Sequence, residues 1–349
     1  MKTKNLKTYF VACCFGLSSM AFFSCQNETA ENTKKEKKTT ALQNALDNNP
    51  QVKLLNEQIA KNPKNAELYF TRANVYWQLN GFQEAASDFD KAISIDSMKT
   101  AYYLGAAELC FNARQLPQAI QVLKKAQKLL PKDADIALEL GKNYFYIQNF
   151  AVAHQQLAKA IELENDNAMA YFWQGMTFRD EEKPKEAAQS LEKALELDAE
   201  MYNAAIMLAQ TYSDKKNDKA IVFYDKAIAL KPLETEANYG KAMFLQNNGK
   251  ADKALAEYRK IIVKNPQHQD SHYNTAYIFY NKGEYEKAYK SFDMAIKVSP
   301  AFAKAYYMRG KSNEQLGKKD AAKSDYEKAL VFDEKFNLAK KALEELRGK

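Results

Sequence analysis

The sequence predicts an all-α chain built from tandem helical hairpins. Eleven Gly and eight Pro in 349 residues leave too little turn chemistry for a β-sandwich or barrel. Alanines recur at 85, 119, 153, 187, 220, 254, 288 and 322, every 34 residues except for one step of 33. Four residues after each comes a large residue (Phe89, Leu123, Leu157, Leu191, Tyr224, Tyr258, Phe292, Tyr326), and three later a small one, Ile261 excepted. Steps of four and three put all three on one helical face, a small-large-small stripe that lets a neighbouring helix come close. A second stripe about twelve residues earlier pairs a small residue (Ala73, Ala107, Gly141, Gly175, Ala209, Ala242, Ala276, Gly310) with an apolar one three positions on, such as Tyr76, Cys110 or Phe279. Two such helices make a hairpin, and Pro131, Pro232, Pro266 and Pro300 fall between units, where no helical N–H is needed.

The amino-terminal element is of another kind. Residues 1–24 hold Lys2, Lys4 and Lys7, no acid, and a hydrophobic stretch from Tyr9 to Phe23 that is too short to span a membrane. They read as a signal peptide. The segment Ala21-Phe22-Phe23-Ser24-Cys25 resembles a bacterial lipobox, with small Ser24 before the Cys and Phe22 where Leu is more usual. That resemblance implies cleavage before Cys25 and lipid attachment to it, with an ordinary secretory signal cut elsewhere as the alternative. Residues 25–40 then form a flexible charged tether. Gln26 in place of Asp favours the outer membrane in similar lipoproteins. The expected location is the bacterial envelope, with the membrane reached through the lipid on Cys25.

Loss of the signal also removes much of the +7 formal charge, leaving 48 basic against 44 acidic side chains. A balance so even carries no nucleic-acid footprint. Of four Cys only Cys110 remains in the folded part, at a repeat position otherwise filled by large apolar residues, so it reads as a structural thiol.

The 34-residue unit resembles the tetratricopeptide repeat (TPR); Ser271 to Pro300, SHYNTAYIFYNKGEYEKAYKSFDMAIKVSP, carries nearly every signature position of that family. Eight copies are placed at 66–99, 100–133, 134–167, 168–201, 202–234, 235–268, 269–302 and 303–336. The resemblance implies a right-handed superhelical solenoid. The fifth copy lacks one turn residue. Asn238 and His272 replace an aromatic, and Asn313 replaces a large residue, so these copies are expected to pack less tightly. Residues 41–65 and 337–349 read as capping helices, which a solenoid needs because each repeat buries its face only on neighbours.

Candidate catalytic residues are weak, and no enzyme, cofactor or metal is expected. His268 and His272 have the i, i+4 spacing of two ligands, but one falls in a turn and the other at a packing position. Gly310-Lys311-Ser312 imitates the end of a phosphate loop, yet its first Gly would be Ala305 and no strand precedes it. Asp180-Glu181-Glu182 lacks the alternating ligands of a calcium loop.

What remains is a surface. In the family, the first helix of each hairpin lines a concave groove through the second, fifth, ninth and twelfth positions. The fifth position reads Phe70, Leu104, Leu138, Phe172, Ile206, Tyr239, Tyr273, Tyr307, and the twelfth Trp77, Phe111, Phe145, Arg179, Ser213, Gln246, Tyr280, Glu314. With Tyr277, these place aromatic ends around a polar middle, and the rings either hold a peptide or pack between hairpins. The carboxylate clamp by which some members hold a chaperone tail needs Lys at the fifth position, which is apolar in all eight copies. The expected function is a lipid-anchored scaffold binding protein or peptide in the groove, assisting outer-membrane or surface-machine assembly. An accessory module of an envelope enzyme and a glycan-binding groove are the alternatives.

Overall fold

A computed structural model describes residue 42 and residues 44–347; the signal peptide, Cys25 and the tether lie outside the described residues. Among the described residues there is no strand. The chain forms two compact units, one ending at Gly105 and one beginning at Ala106.

Sixteen of the described helices follow one another as two-helix units along the chain. The first four are Ala66–Gln78 with Phe82–Ile95, Thr100–Asn112 with Leu116–Leu129, Ala134–Tyr146 with Phe150–Leu163, and Ala168–Asp180 with Pro184–Leu197. The next four are Tyr202–Asp214 with Lys219–Leu230, Glu236–Asn247 with Ala251–Lys264, Gln269–Asn281 with Tyr285–Val298, and Ala303–Gln315 with Lys319–Phe332. Helix Pro50–Lys61 precedes them, capped by the Asn49 side chain, and helix Asn337–Arg347 follows. The latter buries Ala342 and Leu343 with Ala322 and Tyr326 of the eighth hairpin.

The alanine ladder is the hairpin interface. All eight alanines from Ala85 to Ala322 are fully buried, as are seven of the eight large residues that follow them. The facing small positions explain themselves sterically. A Cβ on Gly141, Gly175 or Gly310 would lie 2.6, 2.7 or 2.6 Å from Leu157, Leu191 or Tyr326, so bare backbone lets the large residue seat.

Each hairpin turns through one residue at positive φ: Asn80, Arg114, Gln148, Glu182, Lys216, Gly249, Gly283 and Gly317. The N–H that follows reaches back to the last turn of the first helix, as in Gly81 N to Tyr76 O (2.8 Å) and Lys318 N to Asn313 O (2.9 Å). This left-handed closure satisfies carbonyls that the helix end leaves open.

Two further ties recur. At the fourth position Tyr69 and Tyr103 donate to the carbonyls of Pro63 and Ser97, both at 3.2 Å, and His272 Nε2 donates to the Pro266 carbonyl at 3.0 Å. His272 therefore makes the same tie as Tyr69 and Tyr103. Asn313 is likewise buried, and its Nδ2 donates to Asp325 at 3.0 Å, so a hydrogen bond takes the place of the missing apolar contact. The side-chain oxygens of both Asn313 and Asn238 are buried without a hydrogen-bond partner.

At the seventh position a side chain bridges its own second helix and the helix before. Arg72 meets Asp88 (2.6 Å) and Asn56 (2.5 Å), Lys241 meets Glu257 (3.1 Å) and Asp225 (2.6 Å), and Arg309 meets Asp325 (2.5 Å) and Asp293 (2.6 Å). Other hairpins use polar or apolar pairs at this register: Gln174 with Ser190 (3.1 Å), and Leu140 with Gln156 in sequence register. Charged clips and neutral pairs are two solutions to one geometric problem.

Candidate protein-binding face

The fifth-position rings pack on neighbouring rings. Phe70 packs on Phe89 (ring centroids 5.8 Å) and Tyr102 (5.0 Å), Tyr239 on Tyr258 (6.0 Å), Tyr273 on Phe292 (5.4 Å), and Tyr307 on Tyr326 (5.7 Å) and Phe336 (5.2 Å). Phe172 is 7% exposed, Ile206 is buried, and Leu104 is half-buried. The reason is helical geometry. The fifth position lies three residues before the small eighth one, so it shares the face that meets the large residue of the second helix. These positions therefore have packing partners, while Phe70, Leu104, Leu138, Tyr239, Tyr273 and Tyr307 keep part of their surface exposed.

The aromatic twelfth positions are partly exposed as well. Trp77 is half-buried in the first unit. In the second unit Phe111 meets Tyr146 edge-on at 4.8 Å with the Lys142 ammonium 5.3 Å from its ring. Phe145 meets Tyr146 (5.5 Å) and Trp173 (5.4 Å), and Tyr146 meets Trp173 (5.6 Å). Four rings from the first helices of three successive hairpins thus form one cluster, at separations where aromatic pairs attract beyond their area. Tyr146 is 46% exposed, and beside it Ile147 is exposed too. Burial and then the nearby Glu139 charge raise the Tyr146 pKa, so its hydroxyl stays a neutral donor. The Trp173 Nε1–H is buried with no hydrogen-bond partner.

Tyr146 and Trp173 were not among the candidates read from the family's groove positions. They stand at the thirteenth and sixth positions, one step from each. Composition held a signal for one of them, since Trp173 is one of only two tryptophans in the chain.

A second aromatic patch lies in the seventh and eighth hairpins. Tyr277 is 38% exposed and stacks on Tyr273 (6.5 Å, 15°), while Tyr280 meets Tyr285 edge-on at 5.5 Å. Burial, followed by the neighbouring Tyr277 and Tyr307 phenols, pushes the Tyr273 pKa up to about 12. Between the patches the surface turns polar, with Arg179 against Met207 and Asp180 and with Tyr212 donating to Glu192 (2.6 Å).

The other candidates have structural employment. His268 caps its helix, its Nδ1 accepting from Ser271 N at 3.2 Å, and His272 is the tie described above. Glu181 binds His154 (2.6 Å) and Lys183 (3.3 Å). Gly310 is the small position against Tyr326. Cys110 is half-buried. Among the described residues no group of three or more His, Cys, Asp or Glu side chains is placed to hold a metal ion, and no helix is long and apolar enough to cross a membrane.

Comparison with known proteins agrees with this anatomy. The chain is 26% identical over 186 residues to the human mitochondrial import receptor subunit TOM70, a match covering 50% of this chain and 30% of that protein. It is 28% identical over 85 residues to the Hsp70-Hsp90 organizing protein of Triticum aestivum, covering 24% of this chain and 15% of that one. The chain thus spans under a third of the length of these relatives. The C-terminal part of a TPR repeat-containing protein from Cytophaga hutchinsonii superposes with a TM-score of 0.59 at 17% identity, covering 68% of this chain and 98% of that one, a likeness of fold. Tetratricopeptide-repeat models match residues 70–134, 138–202, 174–235 and 303–336, and a TPR-repeat model matches 276–317. Together they span well over half the chain, which belongs to the tetratricopeptide-repeat family.

Proposed function

We propose that this chain is a non-catalytic scaffold that holds an apolar segment of another protein on the Phe111, Phe145, Tyr146 and Trp173 cluster, and that a lipid on Cys25 keeps it at the bacterial envelope. The observation that carries the binding reading is the half-exposed Tyr146 at the centre of rings from three successive hairpins. A ring left nearly half in water, backed by three others, is a preformed aromatic anchor of the kind that dominates protein interfaces. Family membership supports the same reading, as do relatives named as a mitochondrial import receptor subunit and an Hsp70-Hsp90 organizing protein. The anchor rests on the sequence around Cys25, and assistance to outer-membrane or surface-machine assembly follows from anchor and binding face together.

Photocrosslinking in cells from position 146 tests the binding face. One dominant protein adduct is expected, and cell-wall glycan as the main adduct contradicts it. Cys25→Ser tests the anchor, because one residue carries the acyl chains. The variant is expected in the soluble envelope fraction, and its retention in the membrane contradicts lipid attachment.

A further inference from the structure

A second surface combines an apolar floor with a cation outside any ion pair among the described residues. It is a groove of about 700 Å³ between the second helix of the sixth hairpin and the first helix of the seventh. Leu255, Ile262, Val263 and Phe279 make it apolar, and Val263 is 75% exposed. Arg259, Lys260 and Lys264 also line it; Lys260 pairs with Glu257 at 3.0 Å, while Lys264 donates only to the Pro232 carbonyl at 2.6 Å, a neutral partner.

The groove sits at the seventh-position clip. In the first, sixth and eighth hairpins a cation at this position is flanked, sixteen residues to either side, by Asn56 and Asp88, Asp225 and Glu257, and Asp293 and Asp325. In the seventh hairpin the same register reads Arg259, Thr275, Ser291. The central residue is short, which opens the groove, and its hydroxyl is buried without a hydrogen-bond partner. The cation stands on the flank, as Lys124 does beside Leu140 in the third hairpin. Arg259 is exposed and, among the described residues, makes no ion pair. The seventh hairpin thus has a neutral pair at this register, with Arg259 beside it outside any ion pair of the described residues.

We propose that this groove docks an acidic amphipathic segment of a partner protein, an apolar side chain entering between Val263 and Phe279 and an adjacent carboxylate pairing with Arg259. Charge complementarity selects this occupant: Arg259 and Lys264, neither in an ion pair among the described residues, border an apolar floor, which matches a helix carrying leucines among glutamates. The site does not depend on the aromatic cluster.

The test uses the full chain and two fluorescein-labelled fourteen-residue peptides, one presenting leucines four apart among glutamates and one with every glutamate changed to lysine. The glutamate peptide is expected to bind and the lysine peptide to bind at least about tenfold more weakly. Arg259→Glu and Thr275→Leu are each expected to weaken the glutamate peptide about tenfold or more with the fold retained. Both should fold, since Arg259 is exposed and the third and fifth hairpins carry Leu140 and Leu208 at the position of Thr275. Equal binding of the two peptides, or binding indifferent to both substitutions, overturns the proposal. Binding of dodecyl phosphate with neither peptide bound overturns it in favour of an anionic lipid. Self-association lost in Thr275→Leu, with neither peptide bound, overturns it in favour of a second copy of this chain.

Discussion

Asp325 gives the sharpest test of how the hairpins are held together. It is nearly fully buried and accepts three bonds: Arg309 Nε at 3.0 Å, Arg309 Nη2 at 2.5 Å and Asn313 Nδ2 at 3.0 Å. Asp325→Ala leaves Arg309 half-compensated and Asn313 without an acceptor. Breaking a buried pair from one side costs about 3–5 kcal/mol. Arg309 keeps Asp293 at 2.6 Å and lies 5.4 Å from the Tyr306 ring, which puts the expected loss near the lower end, about 3 kcal/mol. The chain itself supplies the control. Arg309→Leu with Asp325→Gln installs the Leu140 and Gln156 pair of the third hairpin, which removes the buried charge and leaves Asn313 an acceptor. That double variant is expected within about 1 kcal/mol of the parent, because a neutral pair of similar volume avoids the desolvation cost. Urea unfolding followed by circular dichroism measures both, and hydrogen exchange over residues 303–347 localises the loss to the eighth hairpin. A double variant at least as unstable as Asp325→Ala would refute the reading of the clip as one of two interchangeable solutions.

Other consequences are as direct. Ala187→Phe, at a fully buried position of the fourth hairpin, is expected to cost about 1–3 kcal/mol by overpacking and to split a single melt into two, since repeats contact only their neighbours; an unchanged melt contradicts this. Lys216→Gly removes a side chain from φ 53° and is expected to stabilise by up to about 1 kcal/mol, read as a higher Tm, with a lower Tm as the contrary result. Burial pushes the Glu257 carboxyl up, but hydrogen bonds from Lys260 and Lys241 outweigh it and hold the pKa below its ordinary value. Its contribution to stability is therefore present above the unfolded value of 4.5 and lost as pH falls through the lower folded value; Glu257→Gln should flatten this acid limb, and an unaltered acid transition counts against it.

The fold was legible because packing geometry imposes it at every repeat. A fully buried small residue cannot be large, so the constraint at Ala85 recurs every turn of the array and survives in a single sequence. The hairpin turns were less legible, since five of the eight positive-φ residues, Arg114 and Lys216 among them, are not glycine. The binding face was only partly legible. Whether a ring packs or faces water depends on the residue opposite it on another helix, and position number alone carries no record of that. Phe70 and Tyr307 meet Phe89 and Tyr326, while Tyr146, outside the family's groove positions, is the exposed member of its cluster. His272 looked like a departure, yet it keeps the tyrosine's hydrogen bond with a different ring.

The central claim is that the Phe111, Phe145, Tyr146 and Trp173 cluster binds a partner rather than merely closing the hairpins. Measuring both melting temperature and affinity for the crosslinked partner on Phe111→Ala/Tyr146→Ala tests it most directly. The account predicts a loss of about 2–4 kcal/mol in binding, with the melting temperature little changed, as for aromatic anchors at an interface. Undiminished partner capture together with a collapsed melting temperature would contradict it.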